Sequence, residues 1–200
     1  MLDAHFHRRN LPHVYIPERT YFITFRLKDS FPLQKILELK SSAEFNSAPQ
    51  NKTEKYERDK KFFAKYDELL NKGNFGKCYL RNDNVAEIVV STIQFLNEKD
   101  YNLIAFYIMP NHVHLLFSLK ENCRSVDKIM QSIKRYSAQQ INKLLRRSGS
   151  LWQAESYDHV VRDEAELNRI IDYVMNNPVK AGLVENWEDW KHTFVSEDFY

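Results

Sequence analysis

Two hundred residues with 43% hydrophobic content suit one domain spanning 1–200 with a substantial core, and a formal net charge of +2 excludes nucleic-acid binding through total charge alone. Any basic footprint has to be local. Cys78 and Cys123, the only cysteines, are too few for a disulfide framework or a Cys-based zinc site, and no apolar run approaches the ~20 residues of a membrane span, so the expected location is the cytoplasm with no membrane partner.

In chain order, residues 1–18 carry Pro12 and Pro17 and no periodicity, which predicts an N-terminal arm. Thr20 to Leu27, rich in aromatic and β-branched residues, predicts a first strand. From Ser30 to Asn84 the pattern turns to charged helical segments, Lys35 to Phe45 and Glu54 to Leu70, separated by Pro49 and closed by Gly73 and Gly76. This stretch, 30–84, reads as an inserted helical region, and Lys52 to Lys65 as a solvated face. Asn84, with Glu87 three residues on, predicts the capping box of a first core helix that runs to about Asn97. Strands Asn102 to Ile108 and His112 to Leu119 follow. Ser125 then starts a long helix to about Arg147, with Val126, Ile129, Met130, Ile133, Ile141 and Leu144 inward. Tyr157 to Arg162 is a short fourth strand, and Glu164 to Asn177 a last helix expected to stop before Pro178. Residues 185–200, with Trp187 and Trp190, pack back as a cover. The order strand, helix, strand, strand, helix, strand predicts an α+β fold with a ferredoxin-like antiparallel sheet, its helices on one face.

The chemistry gathers at Tyr107-Ile108-Met109-Pro110-Asn111-His112-Val113-His114-Leu115-Leu116-Phe117. Side chains at i and i+2 of a strand point the same way, so His112 and His114 can converge on one ion while Val113, Leu115 and Phe117 face the other side. Two half-exposed histidines that bind nothing is the alternative. The string Met109 to Leu116 resembles the HUH motif of single-tyrosine transposases, with Val113 in the bulky apolar position. Trp152-Gln153, Tyr157 to Asp163 and Tyr173-Val174-Met175-Asn176-Asn177-Pro178-Val179-Lys180-Ala181-Gly182 are similar to the REP-associated tyrosine transposase branch of that superfamily.

Two tyrosines compete as nucleophile. Tyr136 has Gln140 one turn later and Tyr173 has Asn177, so each pair sets a phenol and an amide on one helical face. Tyr136 reads as a core position within the apolar stripe, three residues after Ile133. Tyr173 and Asn177 fall on the flank of the stripe Leu167, Ile170, Ile171 and Val174, where a substrate can reach them. The resemblance points the same way, placing the nucleophile four residues before the asparagine of an Asn-Pro-Val-Lys-x-Gly string. Asn177 as a simple helix C-cap stays open.

A phenol of pKa about 10 needs positioning and activation before it attacks phosphorus. A divalent ion on His112, His114 and the Asn177 amide oxygen supplies the electrophile, and the resemblance implies Mg or Mn. The expected partner is single-stranded or hairpin DNA, REP-like repeats among the candidates. A local basic run, with Lys128, Lys134, Arg135, Lys143, Arg146 and Arg147 against only Glu121 and Asp127, offers phosphate contacts, joined by Arg162, while Trp152 and Tyr157 offer stacking platforms. His159 reads as structural. The expected function is therefore that of a DNA transposase and single-strand endonuclease, with Tyr173 linked to a 5′ phosphate. The alternatives are a catalytically silent DNA-binding module on the same fold and a hydrolase using water. A monomer and a homodimer are both compatible with the sequence.

Overall fold

Strand β3 (Thr20–Arg26) is buried along almost its whole length, as its Thr-Tyr-Phe-Ile-Thr-Phe pattern requires of a central strand. The computed structural model describes residues 5–8, 12–15, 18–42, 45, 48–72 and 76–199. Before β3, β1 (His5–Arg8) and β2 (Pro12–Tyr15) pair antiparallel, so the expected arm contains a two-stranded ribbon; its remaining residues up to Pro17, like Gly73, lie outside the described residues. The main sheet adds β4 (Tyr101–Ile108), β5 (His112–Leu119), β6 (Tyr157–Val160) and β7 (Thr193–Val195), in the order β6-β3-β5-β4-β7 with every neighbour antiparallel. The first four of these reproduce the expected ferredoxin-like order. The fifth comes from the C-terminal segment expected only to cover the fold, which also ties Trp190 Nε1 to the Ile108 carbonyl at 3.0 Å.

Alternation divides the sheet into two faces. Tyr21, Ile23, Phe25, Val113, Leu115 and Phe117 pack against α3 (Asp83–Leu96) and α4 (Val126–Leu144), and each such side chain contributes roughly 1.5–3 kcal/mol by leaving water. The opposite face holds Phe22, Tyr107 and Leu116 under α5 (Glu164–Lys180), with Phe63 of α2 (Lys52–Asn71) against them. That second helical layer goes beyond the one-sided arrangement expected. Helix α1 (Leu33–Ser41) precedes α2 within the inserted region.

Several boundaries move. The cap of α3 is Asn82, whose Oδ1 accepts from Asn84 N–H at 3.0 Å, two residues ahead of the expected cap. Helix α2 begins earlier than expected because Asn51 Oδ1 accepts from Glu54 N–H at 2.8 Å. Helix α5 runs through Pro178 to Lys180 instead of stopping before it. Pro178 withholds one N–H from the ladder, but only in the last turn, and Leu183 N–H still closes on the Pro178 carbonyl at 3.0 Å. Gly76, at φ +71, brings the far end of the insertion against Asp29, where an added Cβ would stand 2.3 Å from the carbonyl oxygen. That approach returns the chain from α2 to the end of β3.

Candidate active site

The β3–β5 register sets Thr24 opposite His114 and Arg26 opposite His112, so both imidazoles emerge on the face covered by α2 and α5. Both are fully buried. His112 Nδ1 lies 2.6 Å from Asn111 Oδ1, and Asn111 Nδ2 donates to the Leu70 carbonyl at 3.1 Å, so the amide oxygen faces the ring and the proton sits on Nδ1. This leaves His112 Nε2 as a bare lone pair. His114 is fixed through Nδ1 at 2.8 Å from Thr24 Oγ1 and by stacking on Phe22, centroids 5.5 Å apart. The two Nε2 atoms are 3.1 Å apart.

The third member of the cluster is Asp67 of α2, 1% exposed. Its Oδ1 is 3.2 Å from His114 Nε2 and 3.9 Å from His112 Nε2 and accepts no hydrogen bond. Its Oδ2 accepts from the Tyr173 hydroxyl and from Asn71 Nδ2, the latter at 2.9 Å. Asn71 Nδ2 also donates to Asn177 Oδ1 at 2.7 Å. Asp67 and Asn71, one turn apart on α2, thus meet Tyr173 and Asn177, one turn apart on α5. Sequence reasoning missed Asp67. The available signal was its helical phase, four residues after Phe63 and three before Leu70, which sets a carboxylate on the apolar side of α2.

Burial alone would raise the Asp67 carboxyl, but the two histidines and the Tyr173 hydrogen bond outweigh it and hold the group at about 2. Burial, joined by the neighbouring His114, pushes His112 down to about 3 against the pull of Asp67. The Tyr173 phenol is raised, first by burial and then by the charge and hydrogen bond of Asp67.

Two imidazole nitrogens and a carboxylate oxygen, with ligand atoms within 4.8 Å of one another, suit a divalent cation. The three donor atoms stand 3.1, 3.2 and 3.9 Å from one another, near enough for one ion to reach all of them. The Asp67 oxygen that accepts no hydrogen bond is a second mark of such a site. The oxygen of Asn177, expected as the third ligand, is engaged by Asn71.

A family profile described as "Transposase IS200 like" matches residues 78–177, half of the chain, from just before α3 to Asn177. The chain belongs to this transposase family. A Haemophilus influenzae protein assigned by name to the REP-associated tyrosine transposases is 30% identical over 131 residues, covering 61% of this chain and 74% of the relative. The REP-associated tyrosine transposase of Escherichia coli K12 is 23% identical over 106 residues, 53% of this chain and 61% of that one. Among solved structures, a REP-associated tyrosine transposase bound to a REP hairpin shares the fold at a TM-score of 0.55, with 17% identity, covering 94% of this chain and 80% of that one.

In this IS200-like transposase the competing tyrosines part company. Tyr173 touches the histidine cluster, its ring 5.8 Å from that of His114. Tyr136 is on α4, across the sheet, and is 54% exposed, so the core position expected for it is wrong. The stripe continues through Ser137 instead, whose Oγ accepts from Trp152 Nε1 at 2.9 Å. Leu144, expected inward at the end of α4, is likewise exposed.

Among the expected DNA contacts, Lys128, Arg135, Lys143 and Arg146 are exposed. Lys134 Nζ donates to the carbonyls of Gln153 and Ala154 at 2.9 and 3.0 Å. Arg147 bonds Asn142 Oδ1 at 2.5 Å and the Ser150 carbonyl at 3.1 Å. Trp152 is only 7% exposed and packs edge-on against Phe25, which makes it a core residue and corrects its expected stacking role. Tyr157 stacks on Phe63 at 4.1 Å. Arg162 lies over the Tyr56 ring and bonds Glu166 at 3.4 Å. Glu166, 5% exposed, also receives the Tyr56 hydroxyl and stands 3.1 Å from His159 Nε2, the structural role expected for that histidine. Asp163 caps α5. Among the described residues no helix is long and apolar enough to cross a membrane.

Proposed function

We propose that this transposase binds hairpin-forming single-stranded DNA and cuts beside the hairpin by tyrosine transesterification. The observation that carries the reading is the Asp67 carboxylate, with one oxygen beside the paired histidines and the other on the Tyr173 hydroxyl, so phenol and ligand atoms share one pocket. The REP hairpin in the related structure supports the choice of DNA. His112 and His114, with Asp67 beside them, would hold Mg or Mn, and the Asn177 amide oxygen would be a further donor in place of its bond to Asn71. When bound, the ion supplies a Lewis acid for the scissile phosphate. The chain's own contribution is geometric. Helix α5 presents Tyr173 Oη to phosphorus, and Phe22, Phe63 and His114 around its ring fix the direction of attack. The phenol then carries the 5′ phosphate as a covalent intermediate, which keeps the phosphodiester energy for rejoining. The whole chain acts as one domain in this reading, with 30–84 as an elaboration that closes the site and Lys128, Arg135, Lys143 and Arg146 as backbone contacts.

The test is a denaturation-resistant adduct between the protein and a labelled hairpin oligonucleotide in the presence of Mn. Wild type is expected to form it, Tyr173→Phe to bind the hairpin without forming it, and Tyr136→Phe to behave as wild type. A hairpin shift without adduct in wild type would favour a binding module, and an adduct surviving in Tyr173→Phe would overturn the nucleophile.

A further inference from the structure

We propose that the inserted helix α2 is a hinged cover over the active site, which keeps the protein shut until a DNA strand turns α2 away from α5 about its end at Leu70. The inference rests on Tyr173 and the paired histidines being the reacting site and adds the device that controls access to it. Helix α2 lies outside residues 78–177, the part that matches the family, so the cover is built from the insertion.

The reacting groups are sealed. His112, His114 and Asn177 are buried, the Tyr173 hydroxyl donates to Asp67 of α2, and Asn71 of α2 holds Asn177 Oδ1 at 2.7 Å. A phosphate that is to react must stand against the Tyr173 oxygen, the place that Asp67 fills. Because a strand fits only when α2 is displaced, DNA shifts the population toward the open form by its difference in affinity for the two states.

Helix α2 is also thinly anchored. Of its described side chains only Asp67 and Leu70 are buried, whereas the shorter α3 buries Val85, Ala86, Val89, Val90, Ile93 and Leu96. An element with few buried apolar contacts opens locally, well before the fold is lost. Its outer side meets Phe31 and Phe45 through Tyr66 and Phe62, all within the same insertion.

The anchors differ between the two ends. At the C-terminal end Leu70 is buried, and its carbonyl accepts from the buried Asn111 Nδ2 at 3.1 Å. Further back the hold on the rest of the fold is by side chains alone. The Tyr56 hydroxyl donates to Glu166, the Arg162 guanidinium lies 3.4 Å over the Tyr56 ring, and Phe63 stacks on Tyr157 at 4.1 Å. A helix fixed at one end and latched along the rest moves as a lever about the fixed end.

The experiment follows backbone hydrogen exchange of the full chain, with saturating Mn, alone and with a hairpin oligonucleotide that carries a single-stranded tail. Residues 52–66 are expected to exchange faster when the DNA is bound, with β5 and α3 no faster; protection or unchanged exchange of 52–66 overturns the cover. In DNA-free protein Tyr56→Phe, which removes only the hydroxyl that reaches Glu166, is expected to speed exchange of 52–66 by roughly 2–10-fold and to leave α3 and α4 as in wild type. No change there, or an equal speeding throughout the chain, overturns the hinge. The lock is the converse test. Tyr56→Cys and His159→Cys, in a chain with Cys78→Ser and Cys123→Ser, replace rings whose centroids are 6.0 Å apart and are joined by a reducible bis-maleimide. The joined protein is expected to lose adduct formation and to regain it on reduction, and equal rates in both forms overturn the proposal. If the reduced protein forms no adduct or does not bind the hairpin, the reading of the site itself falls, and exchange in the DNA-free protein still decides whether α2 opens.

Discussion

In metal-free protein, acidification between pH 7 and pH 5 should cost stability through His112, and replacing that one residue should remove the effect. His112 is fully buried among Asn111, His114 and Asp67, and burial depresses its pKa from 6.5 to about 3. In the unfolded chain the ring takes a proton below about 6.5, whereas in the folded chain it stays neutral. The unfolded state therefore binds more protons across this window, and stability falls as pH falls. At pH 5 the two pKa values give a loss of about 2 kcal/mol relative to neutral pH, growing toward pH 3. Asp67, depressed to about 2, keeps its contribution through this window and loses it only further into acid, below its unfolded value. The assay is urea unfolding in chelator, comparing wild type with His112→Gln at pH 7 and pH 5. The variant should lose about 2 kcal/mol less than wild type between the two. Equal losses in both proteins would show that His112 is not held neutral by the fold, and the argument for a bare Nε2 would go with it.

His114→Ala should weaken Mn binding in the DNA-free protein by at least roughly 10-fold and abolish cleavage, measured by calorimetry and by adduct yield at matched Mn. Replacing Lys128, Arg135, Lys143 and Arg146 together by Gln should reduce the slope of log affinity against log salt by up to roughly 0.7 for each phosphate that is no longer neutralised, whereas an unchanged slope would make these side chains merely solvated. Trp152→Ala should destabilise the protein by roughly 3–5 kcal/mol in chemical denaturation, because it empties a core site, and leave the hairpin footprint of the folded fraction unchanged.

The histidine face was legible because strand alternation is strict: Val113, Leu115 and Phe117 point to α3 and α4, so His112 and His114 point away. The strand order followed from the succession of elements. Two misreadings on α4 and beyond share one cause. The buried Trp152 indole needs an acceptor, Ser137 supplies it, and a small polar residue therefore occupies the stripe position that hydrophobicity alone would give to Tyr136. Asp67 was hidden for a different reason. Nothing local requires a carboxylate there; its partners come from β5 and α5, and only the folded chain brings them together. Pro178 misled because the rule for prolines concerns helix interiors, while here the missing bond falls in the final turn.

The pairing of α2 with α5 also sets an order of events during synthesis. Asp67 and Tyr173 are 106 residues apart, and at ~5–20 residues per second the ribosome takes roughly 5–20 s to make the second after the first. The carboxylate and both histidines are thus made before the Tyr173 phenol. In the proposed mechanism, a nascent or truncated chain that ends ahead of α5 carries the ligand atoms but lacks Tyr173. On that reading, competence to cut arrives only with α5.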